Sequence, residues 1–224
     1  MIGFRILKRR RKVDAGLVAR YRELPVANVS DMMSRLEAGG ARLRPYHGGG
    51  VMAGPAFTVK SRPGDNLMVH KAIDIAEPGD IVVVDAGGDL TNAIIGELML
   101  AHCARRGLGG IVINGAIRDS AAIRAGSFPV FAAGVTHRGP YKDGPGEINV
   151  AVAIDGMVIE PGDLVIGDDD GLMCVPYDEV EAVYATTKAK HESEIKQMAA
   201  IEAGTSDRAW VDATLKRLGC KFEE

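Results

Sequence analysis

The chain is poor in the residues that build disulfide frameworks and thiolate or imidazole metal sites. Its 224 residues include only three cysteines, Cys103, Cys174 and Cys220, which are far apart and form no CxxC pair. Five histidines are scattered without an HxH or HExxH pairing. A zinc site is therefore not expected, and the isolated thiols suit a reducing cytoplasm.

Aromatic residues and excess charge are scarce as well. Phe, Trp and Tyr make up 5% of the chain, which argues against a surface that stacks nucleic-acid bases. The formal net charge is only −3, and no apolar run has the length of a membrane span or the position of a secretory signal. We therefore expect a cytoplasmic protein without a nucleic-acid or membrane partner, whose 46% of hydrophobic residues form a sizeable core.

The N-terminus is an exception to this balance of charge. Six basic residues lie within the first twelve positions: Arg5, Lys8, Arg9, Arg10, Arg11 and Lys12. They could contact a polyanion, but a solvated segment is the more ordinary explanation of such a cluster. We predict that residues 1–13 are a basic tail or the start of a helix.

Residue periodicity predicts an alternation of helices and strands. Helices are expected over 14–24, 66–76, 98–106, 120–126, 178–204 and 206–219. The last of these is capped by Ser206 or Asp207. A further helix, capped by Asn28 or Ser30, is expected to run to about Glu37 and to end at Gly39-Gly40. Strands are expected in the glycine-rich region after Gly48, over 81–84, 110–114 and 128–133, and in a hairpin of 149–154 and 157–159 around Asp155-Gly156.

One turn sequence occurs twice. EPGDIVVVDAGG at 77–88 matches EPGDLVIGDDDG at 160–171, and the fragment RPGD stands at 62–65. Pro-Gly makes a tight turn in which glycine takes a positive φ, and the branched run after it suits a buried strand. Because nothing else recurs at that period, we expect two similar corners in one core and not a repeat protein.

Three consecutive aspartates, Asp168 to Asp170, close the second copy of this sequence. They suggest calcium, but the DxDxDG spacing of a calcium loop is absent. A turn whose amides are capped by the carboxylates is the better-supported interpretation.

The stretch 96–119 carries the charges most suited to chemistry. A helix over 98–106 would descend about 14 Å at ~1.5 Å per residue. A strand over 110–114 would rise about 16 Å at ~3.3 Å per residue. Because the two lengths nearly cancel, we expect Glu97 and the Arg118-Asp119 pair to meet at one edge of a sheet.

A glycine-containing loop, Asp85 to Gly88, precedes the helix of this stretch. Backbone amides of such a loop and the positive end of a helix dipole can bind an anion together. The GxGxxG spacing of a dinucleotide site is absent, so a small carboxylate fits better than a pyrophosphate.

Glu97, Arg118 and Asp119 suit a metal-assisted reaction of a 2-oxo acid. Mg²⁺ takes one or two carboxylates and keeps several waters, and Asp119 and Glu97 can supply them. Arg118 keeps its proton and can clamp a carboxylate or the enolate oxygen formed when a C–C bond breaks. Glu97, or a water that it orients, can move the proton. A structural ion pair at a strand end is the alternative that the spacing leaves open.

Two lysines permit a different chemistry. Lys60 or Lys71 could form a Schiff base with a 2-oxo acid. An exposed structural lysine is the ordinary explanation of each.

The spacing of the three charged residues resembles a family signature. Glu97, twenty intervening residues and Arg118-Asp119 are similar to the acidic-x20-Arg-Asp pattern of the RraA-like family, which includes class II 4-hydroxy-4-methyl-2-oxoglutarate / 4-carboxy-4-hydroxy-2-oxoadipate aldolases. Other segments resemble family blocks in the same order: NVSDMMSRL, GPAFTVK, PGDNLMVHKAIDIAEPGDIVVVDAGG, GELML, GGIVINGAIRD, GPGEINV and PGDLVIGDDDG. The resemblance fades before about residue 20 and after about residue 190.

This resemblance implies a fold and an assembly. The expected fold is an α/β, swivelling β/β/α sandwich with flanking N- and C-terminal helices. It places the RraA-like catalytic domain at 14–190 and a C-terminal helical extension at 191–224. Family members assemble as homotrimers or homohexamers with the site between subunits.

The resemblance also implies roles for the site residues. Asp119 would bind Mg²⁺ or Mn²⁺ directly, and Glu97 would act through a metal-bound water. Arg118 would hold the pyruvoyl oxygens, and the backbone at Gly96, Glu97 and Leu98 would take the substrate carboxylate. This chain has Glu97 where the characterised aldolases carry Asp, so its carboxylate has a longer arm.

The implied activity is a metal-dependent retro-aldol cleavage of a 4-hydroxy-2-oxo diacid to pyruvate and a second oxo acid, with oxaloacetate decarboxylation as a side activity. The loop 138–147 and an adjoining subunit are expected to read the distal half of the substrate. Some family members instead bind and inhibit an RNA-degrading endonuclease, and the basic N-terminus is the independent support for that alternative. Those regulators tend to lack the complete acidic and Arg-Asp set, so Glu97 with Arg118-Asp119 favours an enzyme.

Overall fold

The computed structural model describes residues 2–36, 39 and 42–222. The chain divides into two compact units, 1–187 and 188–224. The strands of the described residues are β1 (Phe4–Ile6), β2 (Arg44–Pro45), β3 (Met52–Ser61), β4 (Ile81–Asp85), β5 (Ala93–Ile95), β6 (Gly110–Ile117), β7 (Val130–Val135), β8 (Gly146–Ile148), β9 (Val152–Ile154), β10 (Met157–Ile159), β11 (Leu164–Asp168) and β12 (Gly171–Val175). The α-helices are α1 (Ala15–Tyr21), α2 (Val26–Met32), α3 (Leu67–Ile75), α4 (Glu97–Arg105), α5 (Ser120–Ala125), α6 (Val180–Glu202) and α7 (Ala209–Arg217).

Most of the strands belong to one mixed sheet. Its order is β1-β8-β3-β4-β6-β7-β2, with β5 paired to β6, and β11 paired to both β3 and β12. The central strands β3, β4, β6 and β7 run parallel, while β9 and β10 form a separate antiparallel hairpin. This mixed α/β architecture with a large sheet and flanking helices confirms the fold class that the sequence predicts.

The central sheet is buried on both faces. Along β4, Ile81 and Val83 pack into a core with α1, α2 and the strands β9 to β12. Val82 and Val84 point the other way, into a core with α3 and α4. A parallel strand covered on both sides needs apolar residues at every position, which explains the uninterrupted branched run before Asp85.

The two EPGD corners have the same geometry. In the first, the Asp80 carboxylate accepts a hydrogen bond from Glu77 N at 2.8 Å, and in the second Asp163 accepts from Glu160 N at 2.8 Å. The glycine of each turn has a positive φ, +85° and +96°. The prediction of one corner used twice is confirmed, and the corners introduce β4 and β11.

The start of α2 is a correction to the sequence prediction. The helix begins at Val26, ahead of both predicted caps, Asn28 and Ser30. The Asp168 carboxylate accepts a hydrogen bond from Val26 N at 3.0 Å, so the capping group comes from a distant strand that local sequence does not reveal. The predicted end near Glu37 is also wrong: the helix ends at Met32, and Ser34 and Arg35 have left-handed backbones, with φ values of 56° and 60°, before Glu37 is reached.

Asp168 also organises the turn that the three aspartates form. Its Oδ1 accepts a hydrogen bond from Asp170 N at 3.0 Å, in the tight connection between β11 and β12. The interpretation as a turn with capped amides is confirmed. The predicted hairpin around Asp155-Gly156 is present as well, formed by β9 and β10.

The basic N-terminus differs from the predicted tail or helix start. β1 pairs in parallel with β8 at the edge of the sheet. Arg9 donates to Asp80 at 2.7 Å, with side chains that are 8% and 0% exposed, while Lys12 pairs with Glu77 and Arg11 with Asp178. These bases bind acidic groups of the same chain, including both acidic positions of the first EPGD corner.

Residues 188–222 belong to the second unit and contain the rest of α6 together with α7. Before α7, the Asp207 carboxylate accepts a hydrogen bond from Ala209 N at 2.8 Å, so one of the two predicted capping residues contributes to this helix start. Among the described residues, no helix combines the length and apolar character that a membrane crossing requires.

Candidate active site

The three charged residues meet because β5 runs beside the end of β6. Ala93 pairs with Ala116 and Ile95 with Ile117, and Arg118 N donates to Ile95 O at 3.0 Å. The chain therefore enters α4 at the point where it leaves β6. The predicted meeting is confirmed, but its predicted cause is wrong, because β6 is eight residues long and the short strand β5 fixes the position.

Asp119 turns its carboxylate towards the N-terminus of α4. Its backbone is left-handed, with φ 58° and ψ 35°, and its side chain does not cap the helix α5 that follows. Instead, Asp119 Oδ2 accepts a hydrogen bond from Glu97 N at 2.9 Å. Left-handed non-glycine residues carry strain of about 1–3 kcal/mol and are frequent at functional sites.

Arg118 lies beside the same carboxylate. Its Nε is 3.8 Å from Asp119 Oδ2, and the two side chains are 45% and 42% exposed. A pair this open contributes little to stability, about 0–1 kcal/mol. The structural ion pair is therefore a weak explanation for these residues, and both remain accessible to a ligand.

Gly96 allows this close approach. A Cβ atom at this position would overlap Asp119 Oδ2 and would lie 3.0 Å from Arg118 Cγ and 3.1 Å from Arg118 Nε. Its backbone is extended, with φ −150°, so the requirement for glycine is space and not conformation. Of the three backbone positions predicted to take the substrate carboxylate, Glu97 N is already engaged by Asp119, whereas Leu98 N has no hydrogen-bond partner among the described residues.

These groups open into a cavity of about 320 Å³. It is lined on one side by the start of α4 and the end of β6, and on the other by α3 and the loop before β8. The lining residues are Asn66, His70, Ile94, Ile95, Gly96, Glu97, Leu98, Met99, Arg118, Asp119, Pro140 and Lys142. The structure thus brings the residues predicted to bind metal and substrate to one cavity: Gly96, Glu97, Leu98, Arg118 and Asp119.

The second side of the cavity contains residues that the sequence did not single out for a site. Asn66 is only 2% exposed and donates from Nδ2 to Ile94 O at 2.8 Å, while its Oδ1 has no partner in the part of the chain that the structure describes. His70 and Lys142 are exposed to the cavity from α3 and from the loop. The prediction that the loop 138–147 reads the substrate identified the segment that contains Lys142, but no sequence signal identified Asn66 or His70.

His70 is held in its neutral form. Burial is the largest cause that lowers its pKa below the usual 6.5, and the positive charges of Lys142 and His102 lower it further. Asp74 opposes the shift. At pH 7 the imidazole therefore offers hydrogen bonds without charge, and Lys142 is the cation on this side of the cavity.

The glycine loop does not supply the anion-binding amides that the sequence suggested. Gly87 N donates to the Asp85 carboxylate at 3.0 Å, and Gly88 N donates to Asn114 O at 3.0 Å. β5 also separates this loop from α4. Since these amides have partners within the fold, the amide donors of the site are those of α4.

The Schiff-base candidates lie elsewhere. Lys60 is on β3 and Lys71 on α3, both side chains are exposed, and neither lines the cavity of the charged residues. The geometry therefore gives no support to Lys60 or Lys71 as the nucleophile of this site.

The carboxylates present suit a divalent ion that keeps water ligands. Asp119 Oδ1 has no hydrogen-bond partner among the described residues, and Glu97 lies on the same cavity wall. In the part of the chain that the structure describes, no group of three or more His, Cys, Asp or Glu is placed to hold a metal. A site of one or two carboxylates matches Mg²⁺ or Mn²⁺ better than zinc.

Comparison with known proteins gives a family match over most of the chain. A family model described as RraA-like, Aldolase/RraA, matches residues 26–174. A protein of Halalkalibacterium halodurans named "Putative 4-hydroxy-4-methyl-2-oxoglutarate aldolase" is 36% identical over 202 residues, which cover 90% of this chain and 96% of that protein.

Solved structures show the same fold. A crystal structure of an uncharacterized protein from Pseudomonas syringae pv. tomato superposes with a TM-score of 0.79 at 25% identity, covering 87% of this chain and 96% of that one. The RNA-processing inhibitor RraA from Thermus thermophilis superposes with a TM-score of 0.63 at 28% identity, covering 68% and 92%. The similar proteins thus include one that is named as a putative aldolase and one that is described as an RNA-processing inhibitor.

Proposed function

Because this chain belongs to the RraA-like family, we propose that it is a divalent-metal-dependent lyase that cleaves a 4-hydroxy-2-oxo diacid to pyruvate and a second oxo acid. The observation that carries the proposal is the 2.9 Å hydrogen bond from Glu97 N to Asp119 Oδ2, which holds Glu97, Arg118 and Asp119 around one cavity. The aldolase name of the H. halodurans relative supports the same chemistry.

Mg²⁺ or Mn²⁺ is the cofactor that the residues fit. Asp119 would hold it through Oδ1, which no described residue engages, and Glu97 would act through an intervening water. When bound, the ion supplies Lewis-acid polarisation of the 2-oxo group.

Three parts of the chain act on the substrate. The N-terminus of α4, with the amide of Leu98, receives the carboxylate next to the oxo group. Arg118 binds the pyruvoyl oxygens and stabilises the negative charge that collects on the C2 oxygen. Glu97 takes the proton of the 4-hydroxyl, the C3–C4 bond breaks with its electrons passing to the enolate, and the proton is returned to C3 to give pyruvate.

Oxaloacetate decarboxylation follows from the same arrangement. Loss of CO₂ from oxaloacetate leaves the enolate of pyruvate, which Arg118 stabilises in the same way. Oxaloacetate has no 4-hydroxyl group, so its decarboxylation does not require the proton removal by which cleavage begins. We therefore propose it as a side activity.

The test is a coupled assay for pyruvate with 4-hydroxy-4-methyl-2-oxoglutarate and with oxaloacetate. We expect turnover with Mg²⁺ or Mn²⁺, loss of turnover in EDTA and recovery when metal is restored. Asp119→Ala should reduce the rate with either substrate by about 100-fold or more, as expected for loss of a group that stabilises the transition state. Turnover that persists in EDTA, or an unchanged rate in Asp119→Ala, would refute the metal role.

The alternative is a regulatory protein that binds an RNA-degrading endonuclease, and the similarity to the T. thermophilis inhibitor supports it. The basic N-terminus is the other support for this alternative, and the structure weakens it, because Arg9, Arg11 and Lys12 pair with carboxylates of the same chain. Absence of pyruvate formation, together with capture of such an endonuclease by the full-length chain, would favour this alternative over the lyase.

A further inference from the structure

The part of the cavity lining that comes from the start of α3 and the loop before β8 is firmly held by hydrogen bonds. Asp65 is fully buried and accepts four hydrogen bonds: from Leu67 N at 2.9 Å, Asp143 N at 2.7 Å, Gly144 N at 2.9 Å and the Arg62 guanidinium at 3.1 Å. One carboxylate thus joins the start of α3 to the loop that carries Lys142.

Backbone hydrogen bonds lock the same loop on the other side of Lys142. Asn66 N donates to Tyr141 O at 3.0 Å, and Tyr141 N donates to Gly64 O at 2.8 Å. Lys142 therefore lies between two anchored neighbours, Tyr141 and Asp143. A charge held this way binds a ligand with a smaller loss of conformational freedom than one on a mobile loop.

The charge of Lys142 is available to a ligand. Among the described residues it forms no ion pair with a carboxylate, although Asp143 is its neighbour in sequence. His70, whose pKa is lowered first by burial and then by the charge of Lys142, lines the same cavity as a hydrogen-bonding group. Asn66 lines the same cavity, and its buried Oδ1 has no hydrogen-bond partner among the described residues.

We propose that Lys142 binds the carboxylate at the far end of the substrate, with His70 beside it, and thereby selects 2-oxo diacids over 2-oxo monoacids. The inference rests on the proposed function and names its specificity residue. The first carboxylate and the oxo group face Arg118 and the start of α4, and the second carboxylate faces Lys142 across a cavity of about 320 Å³.

The test is a binding experiment with two inert 2-oxo acids. 2-Oxoglutarate has a carboxylate at C5, whereas 2-oxopentanoate has a methyl group there, and neither carries the 4-hydroxyl that cleavage requires. Isothermal titration calorimetry with Mg²⁺ should show wild-type protein binding 2-oxoglutarate at least about tenfold more tightly, as expected for one charge-assisted hydrogen bond. Lys142→Met should abolish this preference, and Lys142→Arg should retain part of it.

Lys71→Met is the matched control, because Lys71 is an exposed lysine next to His70 that does not line the cavity. It should keep the full preference for 2-oxoglutarate. A preference that survives in Lys142→Met, or that is absent from wild-type protein, overturns the assignment. If wild-type protein prefers 2-oxoglutarate but forms no pyruvate from a 4-hydroxy-2-oxo diacid, the lyase proposal fails and the subsite stands.

Discussion

Gly96 is the position at which a single atom decides whether the site can form. The Asp119 carboxylate and the Arg118 side chain occupy the space in which a Cβ of residue 96 would lie. Only a residue without a side chain leaves Glu97 N free to hold Asp119. The site thus depends on the close approach of the Asp119 and Arg118 side chains to the backbone of Gly96, which local sequence patterns do not predict.

Gly96→Ala should therefore impair the site without unfolding the chain. The added methyl group would displace the Asp119 carboxylate from Glu97 N, and displacements of about 1 Å can cost a reaction ~100-fold in rate. We expect a loss of pyruvate formation of about this size. Circular dichroism should show the same secondary structure as wild-type protein.

Gly126→Ala is the control for this substitution. Gly126 follows α5 with φ −97°, and a Cβ there would meet its nearest neighbours at an ordinary 3.6 Å. Activity in Gly126→Ala should match wild type. Equal activity in Gly96→Ala and wild type would show that the hydrogen bond between Glu97 and Asp119 is not needed for the reaction.

The sequence alone identified the charged residues but not the whole cavity. Glu97, Arg118 and Asp119 stood out because their spacing places them at the two ends of a helix and strand. The side chains of Asn66 and His70 had no such signal, since they join the site only when α3 packs beside the loop of Lys142. Residue periodicity does not show which separate segments will pack together, so it cannot predict which of their side chains line a cavity.

The loop before β8 is the element that the buried carboxylate of Asp65 controls. Asp65→Asn replaces one acceptor oxygen by an amide donor and removes the negative charge, so either Leu67 N on one side or Asp143 N and Gly144 N on the other lose their acceptor. We expect faster amide hydrogen exchange at Lys142, Asp143 and Gly144, together with weaker binding of 2-oxoglutarate. An unsatisfied buried donor costs about 1–3 kcal/mol, which should also lower the melting temperature.

Asp143→Asn provides the comparison for that variant. Its side chain is 75% exposed and lies 3.9 Å from Arg62, so its charge has little structural role. Exchange rates in the loop should stay at the wild-type level. Unchanged exchange in Asp65→Asn would mean that the loop is held by its backbone contacts alone.

Secondary structure was predictable where periodicity is strong and local. The strand before Asp85, α3, α4 and the EPGD corners follow from branched runs, apolar spacing and Pro-Gly turns. β5 was missed because three residues are too few to show a period, and the start of α2 was misplaced because Asp168 supplies its cap from another strand. The errors occur where a tertiary contact decides the local structure.

At the N-terminus, the charge pattern was visible but its partners were not. A run of basic residues without a fold around it resembles a solvated tail. In the structure, β1 extends the sheet, and Arg9 reaches the fully buried Asp80. Ion pairs with acidic residues that are distant in sequence thus hold the basic N-terminus against the folded unit.

For the molecule as a whole, the fold class and the family follow from the order of many sequence blocks and are confirmed. The assembly stays a proposal: we expect a homotrimer or homohexamer with sites between subunits. The presence of only two carboxylates at the cavity, within the described residues, is consistent with a neighbouring subunit that completes the site. Light scattering of the purified protein measures this mass directly.

The central claim is that this cavity stabilises the enolate of pyruvate with a divalent ion. The most direct measurement is proton NMR of pyruvate in D₂O, following exchange of its methyl protons in the presence of the protein. We predict exchange that requires Mg²⁺ or Mn²⁺, stops in EDTA, falls at least about 100-fold in Asp119→Ala and is unaffected in Lys71→Met. Exchange that continues without metal, or that is equal in Asp119→Ala and wild-type protein, would contradict the account.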